Sequence, residues 1–157
     1  MTRLIRAAAI ASVIALGNAC SSLDSTVPNA VPIEQTTFAT ALAVDLSAST
    51  KLASGMYVRD LVVGSGAAVV NGQTVTARYT GWLANGAQFD SNTTTGYAFV
   101  LGTGRVILGW DIGIPGMKVG GKRQLIVPAT LGYGSTGNGP IPGNAVIVFN
   151  VEIVSVQ

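Results

Sequence analysis

Glycine punctuates this chain. All but Gly17 of its 20 glycines lie between positions 55 and 143, and they cut that stretch into short runs rich in β-branched and aromatic residues. Met56 to Val63 is one such run, closed by Gly64-Ser65-Gly66. After the turn signal Asn71-Gly72, Gln73 to Leu83 alternates, with Val75, Ala77 and Tyr79 on one face and Thr74, Thr76 and Arg78 on the other. Asn85-Gly86 marks another turn. Ala87 to Asp90 then opens a strand that Tyr97 to Leu101 resumes after a polar interruption, Ser91 to Gly96. Val106 to Ile112 is the one helical stretch of this region, and it is short. Pro115-Gly116 and Gly120-Gly121 bracket a turn before a strand at Lys122 to Val127. Residues 128–144 form a long Gly- and Pro-rich loop, and Ala145 to Val156 closes the chain as a strand, with Ile147, Phe149, Val151 and Ile153 opposed to Asn150 and Glu152. The pattern predicts an α+β domain: a five-stranded antiparallel half-barrel sheet wrapped around one short helix.

Composition excludes several chemistries. The chain of 157 residues has no His and a single Cys, Cys20. A Ser-His-Asp triad, a Cys-His dyad, a haem His, a His-based zinc site and an intrachain disulfide are therefore all out of reach. A formal charge of +2 is too small for a nucleic-acid footprint. With 48% hydrophobic residues the chain is too apolar for a disordered protein. The remaining chemistry runs on carboxylates, hydroxyls, aromatics and backbone groups.

The first residues read as an address. Arg3 and Arg6 precede Ala7 to Leu16, in which only Ser12 is not apolar; this is short for a membrane span and suits a signal-peptide core. Gly17-Asn18-Ala19-Cys20 then resembles the lipobox of bacterial lipoproteins, although Leu16 stands four residues before the Cys rather than three. Residues 1–19 are thus expected to be a signal peptide, and Cys20 a lipidation site. That resemblance implies a bacterial envelope protein, exported, lipid-anchored and facing the periplasm, with simple secretion in soluble form as the alternative. Removing Arg3 and Arg6 leaves seven basic and seven acidic residues, so the mature chain is formally neutral. Residues 21–32, with Pro28, Pro32 and four Ser or Thr, form a polar linker. Residues 33–50 admit two descriptions: Phe38, Leu42 and Leu46 share a helical face, yet Thr40 to Leu46 also suits a strand. An accessory segment packed on the main domain is expected there, and the domain itself spans 51–157.

Six ordered motifs then carry a resemblance through residues 52–157. They are Val75-Thr76-Ala77-Arg78-Tyr79-Thr80-Gly81, Asn85-Gly86-Ala87-Gln88-Phe89-Asp90-Ser91, and Leu101-Gly102-Thr103-Gly104-Arg105-Val106-Ile107-Leu108-Gly109-Trp110-Asp111. Met117-Lys118-Val119-Gly120-Gly121-Lys122-Arg123 and Leu131-Gly132-Tyr133-Gly134 follow, and last Ile141-Pro142-Gly143-Asn144-Ala145 with Val148-Phe149-Asn150-Val151-Glu152. Together they resemble the FKBP-type peptidyl-prolyl cis-trans isomerases. The resemblance implies the FKBP-like fold, with an apolar pocket between sheet and helix. It implies roles in catalysis for Asp90, Tyr133, Trp110 and the Ile107 backbone N–H, and substrate-binding roles for Tyr79, Phe89, Tyr97, Val106, Ile141 and Phe149. Proline-containing polypeptides are the implied partners, macrolide immunosuppressant-type inhibitors a second class, and a non-catalytic chaperone or binding module the alternative function. No metal, cofactor or nucleic acid is implied, and membrane contact runs only through the N-terminal lipid. Three departures bear on substrate preference: the segment between Asp90 and Tyr97 is short and carries Thr93, Thr94 and Thr95, Asn138 stands where a His is frequent, and the loop before Ile141 is shorter.

The implied reaction suits a chain without His. Rotation about an Xaa-Pro bond breaks no σ-bond; its barrier of ~18–20 kcal/mol is lost amide resonance. A dry aromatic pocket that favours the twisted amide over the planar one lowers that barrier. Other motifs fall away. Gly116 to Lys122 has phosphate-loop spacing, but Arg123 stands where Ser or Thr must bind magnesium. Gly102 and Gly104 lack the third glycine of a dinucleotide fingerprint.

Overall fold

The computed structural model describes residues 30–157. The expected signal peptide, Cys20 and most of the polar linker lie outside the described residues.

Six antiparallel strands form one sheet: β1 (Thr50–Lys51), β2 (Tyr57–Val62), β3 (Thr74–Leu83), β4 (Gln88–Val100), β5 (Lys122–Val127) and β6 (Ile147–Val156). Their spatial order is β1-β2-β5-β6-β3-β4. The sixth strand, beyond the five expected, is the two-residue β1 paired to the start of β2. One face of the sheet holds the main core. Val75 and Ala77 of β3, Leu125 and Val127 of β5, and Phe149, Val151 and Ile153 of β6 pack there with Trp110 and Ile114. The alternation that marked β3 and β6 is this face.

The strand broken at Ser91 to Gly96 in the sequence is continuous. From Ala77 to Tyr79 the pairing takes two steps along β3, but from Tyr97 to Asn92 five along β4, so β4 carries three extra residues in a bulge. Arg78 Nε donates to the Thr94 carbonyl at 3.0 Å, and Asn92 Oδ1 accepts from the Gly96 N–H at 3.0 Å. Polar side chains thus stitch the bulge, and the threonines, β-branched, stay in the strand.

The helix α1 (Leu108–Gly113) starts later than the sequence suggested. Ile107 is extended at its N-terminus, with ψ 150°, and Ile114 precedes Pro115, which closes the far end. Two glycines set its distance from the sheet. A Cβ on Gly109 would meet Val127 Cγ1 at 2.6 Å, and one on Gly113 would meet Leu125 Cδ2 at 2.8 Å. Because neither carries a side chain, α1 lies tightly on β5, and that approach lowers Trp110 between helix and sheet.

Residues 33–50 are neither of the expected forms. Ile33–Gln35 and Thr40–Leu42 are single 3-10 turns, followed by β1. This strap covers the opposite face of the sheet. Ile33 and Leu42 are buried against Tyr57, Ile126, Val146 and Val148, with Phe38 and Leu46 alongside. Gln124 Nε2 donates to the Leu42 carbonyl at 2.9 Å, and Arg59 Nη2 to the Ala43 carbonyl at 2.7 Å. Leu42→Ala removes a side chain that is 7% exposed and opens a cavity under the strap. We expect it to cost about 2–3 kcal/mol, read as a lower urea midpoint at unchanged m-value.

One ion pair ties the strap to the sheet. Glu34 accepts from Lys51 Nζ at 2.6 Å and from the Tyr57 hydroxyl at 2.7 Å. The Lys51 hydrogen bond first, and the Tyr57 hydroxyl second, lower the Glu34 carboxyl from its ordinary 4.5 to about 2. A depressed carboxyl contributes stability above its unfolded pKa and loses that contribution as pH falls through the folded one. Glu34→Gln is therefore expected to flatten the fall of Tm between about pH 4.5 and pH 2, measured by circular dichroism melts; an unchanged acid slope would refute this linkage.

Candidate active site

Between α1 and the sheet lies a cavity of about 400 Å³. It is lined by Tyr79, Asp90, Tyr97, Gly104, Arg105, Val106, Ile107, Trp110, Tyr133 and Phe149. Trp110, 4% exposed, forms its base. The indole is held edge-on by its neighbours: Tyr79 at 5.0 Å between ring centroids, Phe149 at 5.4 Å, and Phe99, tilted, at 5.6 Å. Perpendicular aromatic pairs at these distances add attraction to area burial and leave the base little rotational freedom. The indole Nε1 is buried and has no hydrogen-bond partner among the described residues.

Each wall comes from a different element. β3 supplies Tyr79, β4 Asp90 and Tyr97, β6 Phe149, and the long loop after β5 supplies Tyr133. Tyr97 stacks on Phe99 at 5.7 Å, which joins the cavity mouth to the core. The turn before α1 is pinned by Asp111, whose carboxylate accepts from the Gly102 N–H at 2.8 Å and the Gly104 N–H at 3.0 Å. That bracket holds Arg105, Val106 and Ile107 against the cavity. The Ile107 carbonyl accepts from the Trp110 N–H at 2.9 Å.

Polar groups are few and oriented. The Tyr79 hydroxyl donates to Asp90 Oδ2 at 2.7 Å. Burial first, and then the hydrogen bond to Asp90, push the Tyr79 phenol well above the usual tyrosine range. Burial, with the Asp90 charge second, likewise raises the Tyr133 phenol. Both hydroxyls are therefore neutral donors across the physiological range. The arrangement offers an apolar seat, one carboxylate fixed by a phenol, and a second phenol as donor. Among the described residues no three His, Cys, Asp or Glu side chains converge into a metal-binding set.

Eight of the residues singled out in the sequence line this cavity: Tyr79, Asp90, Tyr97, Val106, Ile107, Trp110, Tyr133 and Phe149. Two lie behind it. Phe89 meets Phe149 edge-on at 5.5 Å and Tyr133 at 6.5 Å, and it shares with Phe149 the space over Gly81, where any Cβ would collide with both rings. Ile141, 5% exposed, belongs to the main core. Gly104 and Arg105 line the cavity without having been singled out. Their signal was present: both stand inside the motif that runs from Leu101 to Asp111.

Comparisons with known proteins place this geometry in a family. Residues 66–154 match the family model described as FKBP-type peptidyl-prolyl cis-trans isomerase. An FK506-binding protein of Neisseria meningitidis is 46% identical over 105 residues, which are 65% of this chain and 96% of that protein. FK506-binding protein 4 of Rhizopus delemar is 49% identical over 110 residues, covering 69% of this chain but 29% of that protein. The chain thus spans under a third of this longer relative. Among solved structures, the peptidyl-prolyl cis-trans isomerase of Pseudomonas syringae superposes with a TM-score of 0.65 at 30% identity, over 75% of this chain and 89% of that one. FkpA of Escherichia coli superposes with a TM-score of 0.64 at 32% identity, over 75% of this chain and 55% of that one. Matched by the family model over more than half its length, and covering 96% of the meningococcal protein, the chain belongs to the FKBP-type peptidyl-prolyl cis-trans isomerase family.

Proposed function

We propose that this chain accelerates cis-trans isomerisation of Xaa-Pro bonds in exported polypeptides. The aromatic cavity based on Trp110 carries the reading. It is wide enough, at about 400 Å³, for a proline ring and the atoms beside it, and its base and walls are apolar. In water the amide carbonyl is hydrogen-bonded, which favours the planar resonance form. Seating the proline on Trp110 between Tyr79, Tyr97 and Phe149 strips that water and favours the twisted form, in which resonance is already lost. The Ile107 N–H, unspent on any backbone bond among the described residues, holds the substrate chain. The Tyr133 hydroxyl donates to a substrate carbonyl, and Asp90 polarises the mouth of the site. A barrier lowered by ~7 kcal/mol corresponds to about 10⁵-fold.

Several relatives carry FK506-binding in their names, and a macrolide inhibitor of that class is the expected ligand of the same cavity. Export and lipid attachment at Cys20 complete the reading. The strap lies on the face of the sheet opposite the cavity, so a tether leading into it leaves the cavity open to clients. Mass spectrometry of the mature N-terminus tests this part: a diacylated or triacylated Cys20 supports it, and an unmodified one replaces anchoring with soluble secretion.

The activity is tested by cis-trans exchange of a Leu-Pro peptide followed with the purified protein. Acceleration that a macrolide inhibitor abolishes supports the proposal. A folded protein that binds the peptide without accelerating exchange is the non-catalytic binding module.

A further inference from the structure

We propose that Arg105 makes this cavity selective for proline sites flanked by an acidic side chain. The proposal rests on the isomerase reading above and names a substrate class for the same site. Arg105 lines the cavity beside Val106 and Ile107 and is exposed to solvent. Among the described residues its guanidinium enters no ion pair, whereas Lys51, Lys122 and Arg123 each have a carboxylate within 4.0 Å. Nor is it spent on carbonyls, as Arg59 is on Ala43 and Arg78 on Thr94.

Neither carboxylate of the site forms an ion pair with it. Asp90 accepts from Tyr79, and Asp111 accepts from the Gly102 and Gly104 N–H groups. The Asp111 bonds also fix the backbone from which Arg105 projects, so the charge has a defined origin at the cavity mouth. An uncommitted guanidinium offers a planar fork of donors that matches a carboxylate in two parallel hydrogen bonds. Its neighbours in the lining, Val106, Ile107 and Trp110, are apolar and do not compete for its donors. Because the side chain is exposed, the gain is that of a surface pair: about three- to fivefold in rate for Glu over Gln at the favoured position.

The test measures exchange by NMR for peptides with Glu or Gln at each of the two positions before and after proline, using the full chain. The readout is the Glu/Gln ratio of kcat/KM within each protein, which a loss of stability does not move. Support consists of a ratio of about three or more at one position at low salt, falling toward one in 0.5 M salt and in Arg105→Gln, and inverting in Arg105→Glu. The proposal is overturned if the protein accelerates Gln peptides while the ratio is one everywhere. It is equally overturned if a preference survives in Arg105→Gln. Absence of acceleration on every peptide removes the isomerase reading itself and is thereby distinguished from failure of the charge preference.

Discussion

Trp110→Leu is expected to lower kcat/KM for a Leu-Pro peptide by about tenfold or more while the protein remains folded. The indole is the base of the cavity and touches three rings at once, Tyr79, Phe99 and Phe149. Leucine keeps the site apolar but returns none of the edge-on contacts, each worth about 0.5–1.5 kcal/mol. Only the part of that energy favouring the twisted amide appears in the rate. The substitution also leaves space in the core and is expected to cost about 2–3 kcal/mol of stability. Leu42→Ala is the matched comparison: similar destabilisation, on the sheet face away from the cavity, with the rate retained. Equal rates for wild type and Trp110→Leu, measured well below both melting temperatures, would remove Trp110 from the catalytic assignment.

The contrast between these two sites shows which parts of the structure were legible. Alternation in β3 pointed to the main core because Val75 and Ala77 face it while Thr74 and Thr76 do not. In β6 Ile147, Phe149, Val151 and Ile153 face the same core, yet the intervening positions are not all polar. Val146 and Val148 are buried on the other face, under a strap whose own form was ambiguous. A strand covered on both sides loses its period of two, and nothing local announces the cover. Phe38, Leu42 and Leu46 do meet at one apolar cluster, but through a strap with two 3-10 turns, of which one holds Leu42, rather than through the helix or the strand that their spacing allowed.

The cavity was legible through motifs more than through physics. Alone, Phe89 and Phe149 are two aromatic residues in strands. Only the fold shows that Phe149 lines the cavity and Phe89 stands behind it. Val106 and Ile107 looked helical because they are apolar and precede Trp110. Instead Val106 lies in a bend and Ile107 is extended, directly after the turn that Asp111 holds through the Gly102 and Gly104 N–H groups. The run Ser91 to Gly96 reads as an interruption of the strand because its side chains are polar; the long-range bond from Arg78 to Thr94 and the internal bond from Gly96 to Asn92, which hold it in the strand, are features that periodicity does not encode.

Gly143→Ala is expected to cut activity by about tenfold or more, with a smaller proportional loss of stability. The loop from Gly132 to Asn144 carries Tyr133 into the cavity and Ile141 into the core. It is closed by backbone bonds: Gly137 N–H to the Tyr133 carbonyl at 3.1 Å, Asn144 N–H to the Gly134 carbonyl at 2.8 Å, and a reciprocal pair between Asn138 and Ile141 at 2.9 Å. A methyl on Gly143 would overlap the Ser135 carbonyl oxygen, and backbone atoms cannot rotate away as a side chain can. The loop must open, and Tyr133 moves with it, losing a hydrogen bond to substrate worth about 1–3 kcal/mol. Gly55→Ala supplies the control. Its φ of +84° strains an alanine, yet nothing lies within 4 Å of the added carbon and the site is remote. That variant is expected to lose about 1 kcal/mol of stability and keep its rate. If Gly143→Ala matches wild type in both rate and the NMR shifts of the Tyr133 ring, then the clash is relieved without moving the loop, and Tyr133 is not positioned by this packing.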